Sequence, residues 1–172
     1  MLRTLQALFL MSGLFFQSGS FGNISDVRTL KFYHTHTGRS IQVTYYANGG
    51  YDPHALQDMK VFLADWRDQE QKDIDPRLLD ILWQIQQRTH NDRTFEVISA
   101  YRSPKTNEIL RQTSTGVAKS SQHVIGRAID VRLRGLDTAV LRDTARAMRL
   151  GGVGYYAQSD FVHIDTGRPR YW

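Results

Sequence analysis

The sequence predicts an α+β domain in which helices pack on a central, mainly antiparallel sheet. Three observations carry that class. Two segments with apolar residues at helical spacing precede most of the strand candidates. The strand candidates are short, and the last two are joined by a tight polar turn, as antiparallel neighbours are. No repeat or long linker divides the chain, and 172 residues are enough for one domain with a sizeable core.

The elements follow in order. Lys31 to His36 and Ile41 to Tyr46 read as a β-hairpin about the turn Thr37-Gly-Arg-Ser40, closed by Asn48-Gly-Gly50. Asp52 with Pro53 is an N-cap and first-turn proline, and Leu56, Met59, Phe62, Leu63 and Trp66 share one face of the helix that follows. Asp75 and Pro76 open a second helix with a broad apolar face from Leu78 to Ile85. The tryptophans of these helices read as core residues. Phe95 to Ser99 is a strand, and Ser103-Pro104 starts a short helix that leads into the polar loop Thr113 to Ser120. Gly126 to Leu133 is a strand candidate. Asp137 to Leu150 is a helix that Gly151 is suited to end. Val153 to Ala157 and Phe161 to Thr166 are the last strand candidates.

Composition narrows the function classes. The chain has no cysteine, which excludes disulfides, cysteine nucleophiles and thiolate metal sites. The formal net charge of +5 favours an anionic environment without choosing among nucleic acid, lipid and cell-wall polymer. No nucleic-acid recognition motif accompanies it, so no nucleic-acid partner is expected. Residues 1–22 differ from the rest. An apolar run, Leu5 to Phe16, follows the lone Arg3 and precedes Ser18-Gly-Ser20. This reads as a secretory signal peptide or an N-terminal anchor, and the run is short for a membrane span. Export to the periplasm or cell envelope is expected, with membrane attachment only through an uncleaved N-terminal segment.

His123, Asp130 and His163 carry the chemistry. Two imidazoles and one carboxylate form a typical catalytic donor set for Zn²⁺, leaving the fourth tetrahedral position open. The set also suits other divalent ions. Strand alternation places Gly126, Ala128 and Asp130 on one face, and Phe161, His163 and Asp165 on one face of the last strand. Two adjacent strands can therefore gather the three ligands. His34 and His36 have metal-ligand spacing but no third ligand nearby, so structural roles are favoured. Gly151-Gly-Val-Gly154 matches no phosphate loop or dinucleotide fingerprint. Arg142, Arg146 and Arg149 read as a solvated helix face. Tyr155, Tyr156, Tyr171 and Trp172 suit either a cleft wall or the core.

The pattern Ser121-x-His123-x2-Gly126-x-Ala128-x-Asp130, followed by Asp160-x2-His163-x-Asp165-x-Gly167, resembles the zinc D-Ala-D-Ala peptidase group. Within it, the chain is most similar to exported murein endopeptidases of the MepK (YcbK) type. That closer resemblance extends over Lys31 to Gly38, Asp75 to Asp80, Ser99 to Ser103 with Asn107, and Phe161 to Gly167. It implies that residues 23–172 form a zinc peptidase domain acting on peptidoglycan peptides, with His123, Asp130 and His163 as ligands. It implies Asp160 as the general base, three residues before the last ligand, and Arg102 as an electrostatic substrate-binding group. Asp165 is the rival base, or an acceptor that orients His163. Cross-link cleavage is favoured. The alternatives are a carboxypeptidase trimming D-alanine from uncross-linked peptides and a non-catalytic cell-wall binding module.

Overall fold

A computed structural model describes residues 26–114 and 117–172. The expected signal or anchor segment, residues 1–22, lies outside the described residues. The strands are β1 (Arg28–His34), β2 (Ser40–Ala47), β3 (Gly50–Tyr51), β4 (Phe95–Ser99), β5 (Ala128–Leu133), β6 (Gly152–Tyr156), β7 (Phe161–Asp165) and β8 (Arg170–Tyr171). The helices are α1 (Pro53–Phe62), α2 (Pro76–Thr89), α3 (Pro104–Thr113) and α4 (Thr138–Met148). All eight strands join one sheet in the order β3-β2-β1-β4-β5-β7-β6-β8. Only the β1–β4 and β6–β8 pairings are parallel. The fold is α+β, as expected.

The helix starts follow from local chemistry. Asp52, Asp75, Ser103 and Asp137 each accept a hydrogen bond from a backbone N–H of the first turn, and proline follows the first three. On the core face of the sheet, Ile129, Val131, Leu133, Val162 and Ile164 join Leu78, Leu82 and Ile85 of α2 and Leu141 of α4 in one buried cluster. The alternate residues of β5 and β7 face the other way. That face carries Asp130, His163 and Asp165.

Three local expectations are corrected. α1 ends at Phe62, so Trp66 is not on its apolar face. The chain turns instead at Asp65, whose backbone N–H reaches Glu70 O. Fully buried Asp65 then accepts from Ser103 N at 2.9 Å and fixes the segment that carries Arg102. Gly126 is not in a strand: it takes a left-handed φ of 69° and ends a 3-10 turn, Gln122–Ile125. α4 ends at Arg149, with φ 56°, rather than at Gly151. Gly151 lies against the Asp165 backbone, where a Cβ would collide with the carbonyl.

Candidate active site

Asp130 and His163 are direct cross-strand partners in the antiparallel β5–β7 pair. Direct partners share a face and hold their Cβ atoms about 5 Å apart, which brings these two side chains together. The third member comes from the 3-10 turn. Its start is capped by Ser121 Oγ, which accepts from His123 N. Its end packs Gly126 against Asp73, and Asp75 N donates to Gly126 O at 2.9 Å. His123 is thereby delivered beside Asp130.

The donor atoms converge. His123 Nε2 lies 3.1 Å from His163 Nδ1 and 3.4 Å from Asp130 Oδ1, and His163 Nδ1 lies 2.8 Å from the same oxygen. Atoms sharing a tetrahedral zinc with bonds of about 2.0–2.1 Å stand about 3.3 Å apart. The far side of each ring decides what faces inward. His123 Nδ1 is 2.6 Å from Ala100 O, which only accepts, so that nitrogen carries the proton. His163 Nε2 is 2.9 Å from Asp165 Oδ2 and likewise donates. In the neutral rings, His123 Nε2 and His163 Nδ1 therefore present bare lone pairs, beside a carboxylate oxygen. Once His163 has lost its second proton, three acceptors face one another, an arrangement that suits a cation. The residues fit a divalent metal.

Asp165 is an orienting group. It is fully buried. Its Oδ1 accepts from Gly152 N, Gly167 N and Arg170, and its Oδ2 accepts from His163 and Arg170. Burial raises its pKa, but His163 and Arg170 outweigh burial and hold the carboxyl well below its usual range. Such a saturated carboxylate fixes the His163 tautomer and has no free oxygen with which to abstract a proton.

Asp160 is not brought to the ligands. It has a left-handed φ of 51° and a side chain 59% exposed. Its Oδ1 accepts from Thr138 Oγ1 at 2.8 Å, and its Oδ2 from Arg132 Nη1 at 3.4 Å. Arg132 lies two residues along β5 from Asp130, about 7 Å at strand rise. Asp160 lies in the turn before β7, where Thr138 and Arg132 hold its carboxylate, and Phe161, the first residue of β7, lines the cleft instead.

The ligands form the floor of an open cleft of about 280 Å³. Arg102, Gln122, Tyr156, Phe161 and Trp172 contribute to its walls. Arg102 Nη1 donates to Asn107 Oδ1 at 3.3 Å, while its buried Nε has no partner. Burial pulls the Arg102 pKa down from its ordinary value, partly countered by Asp130, and a guanidinium still stays charged at neutral pH. Tyr156 and Trp172 are the cleft-wall members of the tyrosine and tryptophan set, whereas Tyr155 packs on the core and Tyr171 Oη donates to Arg146 O. His34 is buried, and His36 stacks on Trp66 at 4.2 Å, so both have structural roles. Arg142 and Arg146 are not simply solvated: they lie over Tyr155 and Tyr171.

A model of the family described as peptidoglycan L,D-endopeptidase MepK matches residues 23–172. The chain belongs to this family. The peptidoglycan L,D-endopeptidase MepK of Escherichia coli (strain K12) is 42% identical over 145 residues, covering 84% of this chain and 80% of that protein. The Haemophilus influenzae protein named "Probable peptidoglycan L,D-endopeptidase MepK" is 36% identical over 146 residues, 84% of this chain and 78% of its own length. No solved structure matches significantly. Membership in the MepK family makes the chain a peptidase, and the His123–Asp130–His163 group is its candidate metal centre.

The electrostatics of this MepK-family centre set a pH dependence. Burial depresses His163, but Asp130 and Asp165 outweigh it and raise the ring to about 9 from an ordinary 6.5. A raised pKa stabilises the fold fully below the unfolded value and loses that contribution as pH rises through the folded value. Chelator-treated protein is therefore expected to lose thermal stability between pH 6.5 and 9. The stabilisation conferred by added zinc should grow over the same window, because metal must displace the proton. Melting curves of wild type and His163→Ala test this. An equally steep pH slope in the variant would refute it.

Proposed function

We propose that the chain is an exported zinc metallopeptidase that hydrolyses peptide bonds in peptidoglycan stem peptides, an endopeptidase cutting an L,D bond in cross-links. The observation that carries the reading is the convergence of two imidazole nitrogens and a carboxylate oxygen in an open cleft, with a partly unpartnered arginine in its wall. The names of the MepK relatives supply the substrate class. The chain's net charge of +5 suits a polymer rich in carboxylates.

His123, Asp130 and His163 would hold Zn²⁺. When bound, zinc supplies the Lewis acid that acidifies water and polarises the amide carbonyl. The chain's own residues do the rest. Ala100 O and Asp165 hold one N–H of each ring on its far side, so that the inward nitrogens are the ones that would give up a proton to the metal. Arg102 offers N–H donors to the carbonyl oxygen as it gains charge, and it cannot shuttle protons. The open cleft admits an extended peptide. Among the described residues, no helix is long and apolar enough to cross a membrane, and the exported location rests on residues 1–22.

Proton transfer is the step for which the described cleft lining offers no carboxylate other than Asp130, itself one of the proposed ligands. With Asp160 turned to Thr138 and Arg132, Asp160→Ala is expected to keep near-wild-type turnover. A loss of about 100-fold or more, the usual worth of a general base, would mean that Asp160 leaves both partners on substrate binding and acts as the base.

Purified protein on cross-linked muropeptides, with and without chelator, read by mass spectrometry, tests the function. Chelator-sensitive conversion of dimers to monomers is expected. Release of D-alanine from monomers alone would establish the carboxypeptidase instead. Sacculus binding without turnover by zinc-loaded protein would establish the binding module.

A further inference from the structure

We infer that the Tyr156 hydroxyl is a second hydrogen-bond donor to the reacting carbonyl oxygen, held in place by the indole of Trp172. The inference rests on the peptidase reading above. Tyr156 ends β6 opposite Phe161, and the two rings stack at 4.6 Å and 17°. Tyr156 is 39% exposed and lines the same cleft as His123, Asp130 and His163. Its hydroxyl accepts from Trp172 Nε1 at 3.1 Å. A phenol has one proton to give, and among the described residues Tyr156 Oη donates it to none. The indole bond occupies a lone pair and leaves the proton free for an acceptor that enters the cleft.

Trp172 is held from three sides. Its ring lies 5.2 Å from His163, and the Arg170 guanidinium sits over it at 5.0 Å. Gly154, the neighbour of His163 on β6, provides its space: a Cβ there would collide with the indole. Asp165 binds both His163 and Arg170. One carboxylate thus fixes a metal ligand and, through Arg170 and Trp172, the tyrosine hydroxyl. Tyr156 also lies near enough to Arg102 to act on its charge. Among the described residues, the cleft lining therefore has two N–H or O–H groups without an acceptor, the Tyr156 hydroxyl and Arg102 Nε.

No proton changes hands in this role. The hydroxyl strengthens its hydrogen bond as the oxygen becomes anionic, which lowers the barrier without tightening substrate binding. Tyr156→Phe keeps the stack on Phe161 and removes only the oxygen. It is expected to lower kcat by about 100-fold, the usual worth of one such donor, with little change in KM. Trp172→Phe removes the indole N–H and should cost less. The double variant should fall no further than Tyr156→Phe alone, because the indole acts through the hydroxyl.

The experiment measures steady-state kinetics on cross-linked muropeptides for wild type and the three variants. Zinc content and melting temperature are recorded alongside, and affinity for a phosphinic peptide is determined by calorimetry. In Tyr156→Phe, phosphinate affinity should drop with kcat while zinc content and melting temperature hold. An active wild type with undiminished kcat in Tyr156→Phe overturns this inference alone, as does a loss that follows zinc or melting temperature. An inactive zinc-loaded wild type overturns the peptidase reading and this inference with it.

Discussion

His163→Ala is expected to abolish both zinc binding and peptide hydrolysis. The imidazole supplies one of three converging donor atoms. Its removal leaves His123 and Asp130, too few to hold the ion against water, and strips Asp165 of one of its partners. The expected loss in kcat/KM is at least ~1,000-fold, about 4 kcal/mol of transition-state stabilisation. Elemental analysis of the purified variant should show far less than one zinc per chain. The fold should persist, because Val162 and Ile164 stay buried on the opposite face of β7. Stoichiometric zinc in the folded variant would locate the metal elsewhere.

Arg102→Ala is the second large effect. Arg102 touches none of the ligand atoms directly, so zinc content should be unchanged. In the proposed mechanism its value is electrostatic and confined to the reaction: a charged, partly desolvated donor in the cleft lining would face the oxygen that gains charge. Losing such a donor costs about 100- to 1,000-fold in kcat, or about 2.7–4 kcal/mol. Arg102→Lys should recover only part of this, because a point charge cannot reproduce the planar fork that also bonds Asn107. Wild-type kcat in zinc-replete Arg102→Ala would remove the residue from the mechanism.

Much of this was legible in the sequence where the determinants are local. Asp52-Pro53, Asp75-Pro76 and Ser103-Pro104 announce helix starts because a cap and a fixed φ act within one turn. The alternation around Asp130 and His163 was legible because strand periodicity needs no tertiary knowledge. What was missed depends on distant partners. α1 stops at Phe62 because Asp65 is drawn to Ser103, 38 residues away. Gly151 serves a close approach to Asp165 rather than a helix end. Asp160 stands where the family pattern predicts a base, yet Thr138 and Arg132 claim its carboxylate, and neither claim is visible without the fold. Strand parity carried the one warning. The Tyr156–Trp172 bond joins the end of β6 to the residue after β8, a pairing that no spacing rule reveals.

The sheet is bounded by β3 and β8, each only two residues long. An open sheet is most vulnerable at its borders, where unpaired backbone groups can template a second chain. β3 pairs with only Tyr46 and Ala47 of β2, however, so among the described residues Ser40 to Thr44 keep an open outer edge. That stretch of β2 is therefore where strand-to-strand association would begin at high concentration.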